Sequence, residues 1–161
     1  MYKWLYNTVF DKGGNKVKKI IALLFTLMFL TACTETINKD YKFTGESEHW
    51  KAEYIYRATE KWGEDNGTAT YSSSARNNLV LRYKGSLKEL ASMKKLEYSY
   101  ETTAGGGSKV ETFDEPTQSL IFNSGTSSSV GGASISKDEV IQVIVKKDGI
   151  EETFDLKIEN K

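Results

Sequence analysis

The chain has 161 residues, with 22 basic and 22 acidic side chains, one cysteine, one histidine and one proline. Balanced charge gives no basic footprint for nucleic acid, and a lone cysteine allows neither an intramolecular disulfide nor a cysteine-based metal site. The length suits one domain with a sizeable core.

Residues 1–16, MYKWLYNTVFDKGGNK, fit nothing downstream. Lys12-Gly13-Gly14 can be encoded with a ribosome-binding pattern, and Val17 by a GTG start codon. Residues 1–16 are therefore expected to be an untranslated leader, or else an extended n-region. Lys18 and Lys19 then precede Ile20 to Ala32, thirteen residues without charge. Positive n-region and apolar h-region together read as a secretory signal over residues 17–32. A membrane-spanning helix needs about 20 apolar residues. This run is shorter, and Glu35, Lys39 and Asp40 follow it at once.

The segment ends Leu30-Thr31-Ala32-Cys33, which resembles the lipobox of bacterial lipoproteins. The resemblance implies a diacylglyceryl group on the Cys33 sulfur and signal peptidase cleavage between Ala32 and Cys33. Membrane lipid held through Cys33 would then be the first partner, on the extracytoplasmic face of the cell membrane. Two acyl chains make a stable anchor, at about 0.8 kcal/mol per buried methylene. The bland alternative is a secreted protein with a stray cysteine. It leaves unexplained why motif, apolar run and unique thiol coincide. Five basic residues and one acid lie before Cys33, so the 129 residues from it onward carry 17 basic and 21 acidic side chains, a formal charge of −4.

Residues 33–40 read as a lipidated tether and 41–161 as one folded domain. From Tyr41 onward short β-type runs alternate with Gly and Asn/Asp punctuation. Trp50 to Trp62 puts Trp50, Ala52, Tyr54, Tyr56, Ala58 and Trp62 on one face. Asn66-Gly67 is a type I′ turn signal, and a two-residue loop sets Trp62 opposite Tyr71. The return strand is expected over Thr68 to Ser74, with another over Asn78 to Lys84. Ser86 to Lys95 has helical spacing at Leu87, Leu90 and Met93, with Glu89 three residues after the capping Ser86. Lys95 to Glu101 is a strand, and Thr103 to Lys109, with Gly105-Gly106-Gly107, a mobile loop. Leu120 to Phe122 is a short strand, and Ser124 to Ser136 a long flexible connection. Asp148-Gly149 joins Glu139–Lys147 to Ile150–Glu159, pairing Val143 with Phe154, Ile141 with Leu156 and Lys146 with Glu151. The pattern predicts an all-β, antiparallel immunoglobulin-like β-sandwich of about seven to nine strands, with at most one short helix, after an N-terminal signal helix.

Candidate chemistry is sparse. His49 is the only histidine, and no G-x-S-x-G elbow surrounds a serine. A histidine at a strand start more often serves packing or surface than catalysis. Glu64-Asp65-Asn66 lacks EF-hand spacing, and the Gly105 run lacks the Lys-Ser helix start of a phosphate loop. Glu111, Asp114 and Glu115 cluster before Pro116, where solvated acids are the usual case. Trp50, Tyr54, Tyr56, Trp62 and Tyr71 form a candidate binding face for sugar rings or a partner's edge, although periodic aromatics more often build a core. No metal or cofactor is expected.

Tyr41 to Tyr54, YKFTGESEHWKAEY, and Glu139 to Ile158 are similar to segments of small lipoproteins of Gram-positive bacilli. The resemblance implies the envelope address and the β fold, and brings no activity or site residue. The preferred reading is a lipid-anchored binding or structural module, non-enzymatic, meeting an envelope protein or cell-wall polymer and no nucleic acid. The alternatives are a carboxylate-dependent envelope hydrolase and a carbohydrate-binding domain using the aromatic face.

Overall fold

Two dipeptides set the two tightest hairpins. Asn66 and Gly67 sit at φ 50° and 78°, and Asp148 and Gly149 at φ 51° and 90°. These are the paired positive φ values of a type I′ turn, whose twist matches that of the flanking strands. The computed structural model describes residues 34–159. Expectations for residues 1–16, for the signal at 17–32 and for Ala32 and Cys33 lie outside the described residues.

The chain forms β1 (Glu35–Glu46), β2 (Trp50–Asp65), β3 (Thr68–Tyr83), a short helix α1 (Leu87–Leu90), β4 (Lys95–Thr102), β5 (Gly105–Thr112), β6 (Ile121–Asn123), β7 (Ser127–Val130), β8 (Ile141–Lys147) and β9 (Ile150–Ile158). The fold is all-β. Nine antiparallel strands make one sheet in the order β5-β4-β8-β9-β1-β2-β3-β6, with β7 also on β3. The sheet curls on itself. Its halves join through Phe43↔Ile158 and Thr44↔Lys157, and through the Glu159 N–H donating to the Lys42 carbonyl at 2.8 Å.

Period-2 alternation puts one face of each long strand inside. Trp50, Ala52, Tyr54 and Tyr56 of β2 are buried against Leu79 and Leu81 of β3 and against Val143, Val145 and Leu156 of the other half. Tyr54 and Tyr100 meet across the core with ring centroids 5.0 Å apart, and the Tyr100 hydroxyl donates to Asn77 Oδ1 at 2.9 Å. Near the free edges Lys109 Nζ donates to the Asn123 carbonyl at 2.8 Å. The predicted pairs Trp62↔Tyr71, Val143↔Phe154, Ile141↔Leu156 and Lys146↔Glu151 are all present. At α1 the Glu89 carboxylate accepts from the Ser86 N–H at 3.1 Å and its hydroxyl at 2.7 Å.

Where the fold departs from the sequence reading, a neighbouring strand supplies the reason. Thr34 to Asp40, read as tether, is strand from Glu35 on. The 16-residue β2 overshoots the core and offers these residues partners, from Glu35↔Trp62 to Asp40↔Arg57. Thr68–Ser74 and Asn78–Lys84 are one strand, because Ala75, Arg76 and Asn77 are paired on both sides, by β2 and by β7. The Gly105 run is not a loop but β5, and Gly107 lies under the Tyr100 ring so closely that a Cβ would come within 2.7 Å of it. Aromatic cover replaces the packing a glycine strand lacks. Within Ser124–Ser136, β7 is paired and Ile135 is fully buried.

Candidate functional site

The structure divides the five candidate aromatics. Trp50, Tyr54 and Tyr56 are core residues, so they cannot form one accessible face with the other two. Burial, with help from neighbouring Tyr100, pushes the Tyr54 phenol well above its ordinary range. Trp62 and Tyr71 instead sit 48% and 43% exposed, their rings 4.4 Å apart, where β2 and β3 project past the opposing half. The alternation that made all five look alike carries no information on where the covering half ends.

Three groups of chemically capable side chains come together. In the first, Lys39 Nζ bonds Glu60 Oε1 and Ser134 Oγ, each at 2.8 Å, and Tyr56 OH meets Ser134 Oγ at 3.0 Å. A lysine against a serine hydroxyl is the geometry of a Ser–Lys dyad. Its electrostatics are wrong for that role. The hydrogen bond to Glu60 raises the Lys39 pKa above 10.5, so the amine stays charged and cannot take the serine proton. The group is a paired charge at the rim of the core.

In the second, His49 Nδ1 lies 2.8 Å from Glu152 Oε1, and the His49 N–H donates to Oε2 at 3.1 Å. Burial pushes the Glu152 carboxyl up, but hydrogen bonds from Ser47 and His49 outweigh it and hold the group below the ordinary carboxylate range. Ser47 Oγ accepts from the Trp50 N–H at 3.3 Å, and among the described residues no serine hydroxyl bonds the His49 ring. The base therefore has an orienting acid but no nucleophile. In the third, Glu111 accepts from Tyr98 OH at 3.1 Å and pairs with Lys109 at 3.1 Å, while Asp114 and Glu115 point to solvent. Among the described residues no three His, Cys, Asp or Glu side chains gather as metal ligands would.

A broad hollow lies on the outer face. Strand register aligns Asp40, Arg57, Arg76 and Ser128 in one row, and Asn38, Thr59, Ser74 and Val130 in the next, across β1, β2, β3 and β7. These rows line an open depression of about 600 Å³. Arg57 and Arg76 are directly opposite, an arrangement that costs a few tenths of a kcal/mol or more in a sheet. Asp40 meets Arg57 at 3.4 Å, with both side chains 69% exposed, so it offsets the repulsion weakly. Thr59 Oγ1 donates to Asn38 Oδ1 at 2.9 Å and holds the second row in place. Such a floor of guanidinium, carboxylate, hydroxyl and amide groups can bind an anionic or hydroxylated partner by hydrogen bonds. The same turn arithmetic that pairs Trp62 with Tyr71 pairs Arg57 with Arg76. Ending the return strand at Ser74 hid it.

Comparison with protein-family models, curated proteins and solved structures finds no match to this chain.

Proposed function

We propose that the chain is a lipid-anchored extracytoplasmic module of a bacterial cell envelope that works by contact rather than catalysis. The anchor is Cys33, after cleavage at Ala32-Cys33. It is supported by the Leu30-Thr31-Ala32-Cys33 pattern at the end of an uncharged thirteen-residue run. The two facing halves around one core support a sandwich-like reading of the immunoglobulin kind, a scaffold that hosts many binding functions.

The observation that carries the contact reading is the outer hollow, with two opposed arginines that no other part of the fold requires. Its rim includes Val130, 86% exposed, on β7. The partner is an envelope protein or cell-wall polymer bearing acidic or hydroxyl groups. A photo-crosslinking residue at Val130 in the membrane-held protein tests this. One specific envelope adduct is expected, lost when Arg57 and Arg76 are both replaced by Glu. No adduct, together with hydrolysis of a wall polymer that Glu111→Gln or Asp114→Asn abolishes, would make the hydrolase reading correct.

A further inference from the structure

The projecting end of the β2–β3 hairpin carries side chains that neither the core nor the outer hollow uses. The rings of Trp62 and Tyr71 pack against each other at a tilt of 47° and are nearly half exposed, and Ile37, one row closer to the core on the same face, is 37% exposed. Buried aromatics explain a fold; an exposed pair packed ring against ring does not.

Their position relative to the start of the fold is specific. Glu35 is the strand partner of Trp62, and Thr34, Trp62 and Tyr71 line one shallow recess of about 270 Å³. Cys33 is two residues before Glu35, about 7 Å of chain, and one interstrand step is about 5 Å. A lipid on Cys33 would enter the bilayer within roughly 12 Å of Trp62. A retained apolar segment Ile20–Ala32 would arrive at the same point, so the placement does not depend on cleavage.

Indole and phenol rings have an apolar body and a polar tip, and they favour the headgroup level of a bilayer. Resting on the anchoring proposed above, we infer that Trp62 and Tyr71 form a second membrane contact that seats the hairpin in the lipid interface and fixes the tilt of the domain. Its chemistry is apolar. Lys61 and Glu64 line the recess with opposite charges and Glu35 is the strand partner of Trp62, so the site has no net attraction for anionic headgroups and neutral phosphatidylcholine is the appropriate surface. The contact persists at about 1 M salt, where screening acts within about 3 Å.

The test uses the full chain, produced in a bacterium that processes lipoproteins and reconstituted into phosphatidylcholine vesicles with and without brominated acyl chains. Bromine quenches an indole that touches it. Trp50 is 1% exposed, and Trp62→Phe alters only an exposed position, so the difference between parent and variant isolates Trp62. The expected result is co-flotation of both proteins, a loss of parent emission in brominated vesicles that high salt leaves unchanged, and no such loss in Trp62→Phe. Co-flotation with equal emission in both vesicle types overturns the inference and leaves the anchor standing. Failure of the parent to float overturns anchor and inference together. A lipid-independent blue shift that grows with protein concentration, or with added wall oligosaccharide, assigns the pair to a second copy or to a sugar and overturns it as well.

Discussion

Glu60 is a carboxylate only 7% exposed, and Lys39 and Ser134 make its burial tolerable. Hydrogen bonds from Lys39, then Ser134, hold its pKa below 4.5. A depressed folded pKa stabilises the fold above 4.5, and that stabilisation is lost as pH falls through the lower folded value. Lys39 has the opposite sign. Its pKa is raised by the bond to Glu60, so its contribution is complete below 10.5 and fades as pH climbs through the higher folded value. Lys39→Ala leaves the buried carboxylate without its cation, with Ser134 alone beside it, and should cost about 2 kcal/mol at neutral pH. Glu60→Gln should flatten the loss of stability below pH 4.5. Urea midpoints across pH check both, and an unchanged acid limb in Glu60→Gln would contradict the assignment. Gly45 is a second sensitive residue. A Cβ there would lie 2.2 Å from the Asp155 carbonyl oxygen, where β1 meets β9 and the two halves of the sheet join. Gly45→Ala should destabilise by about 2 kcal/mol through overpacking against backbone, read as a lowered thermal midpoint.

At the scale of elements, β5 depends most on its neighbours. Its sequence GGGSKVET has little intrinsic strand preference, and Tyr100 covers Gly107. Tyr100→Leu should raise amide hydrogen exchange in β5 well above that in β9. A uniform rise through the sheet would show that the ring acts only through the core. The same element shows how far the sequence can be read. Pairings within a hairpin were legible, since Asn66-Gly67 and Asp148-Gly149 fix register by counting outward from the turn. Core faces were legible from alternation in β2, β4, β8 and β9. The start of β1 and the strand β7 were not, because each is ordered by a partner distant in sequence, and β5 was not, because its three glycines carry no strand signal although its partner β4 immediately precedes it. The same limit concealed the outer hollow, whose lining crosses four strands. It also concealed the division of the aromatics, which follows from where β4 and β8 stop covering β2.

For the whole molecule, strand direction relates the proposed anchor to the proposed binding face. Glu35 follows the proposed lipid site by two residues, so no free tether separates the domain from its attachment. Asn38 and Asp40 lie four and six residues beyond Thr34 along β1. At about 3.3 Å per residue, the hollow stands roughly 13–20 Å above that point. In the proposed arrangement a domain held this close would meet membrane-proximal partners. The proposed lipid attachment rests on one covalent bond at Cys33. Metabolic labelling with a fatty-acid analogue, comparing the full chain with Cys33→Ala, tests it most directly. The account predicts label on the parent in the membrane fraction and none on Cys33→Ala, which should accumulate as unprocessed precursor. Undiminished label on Cys33→Ala would contradict it.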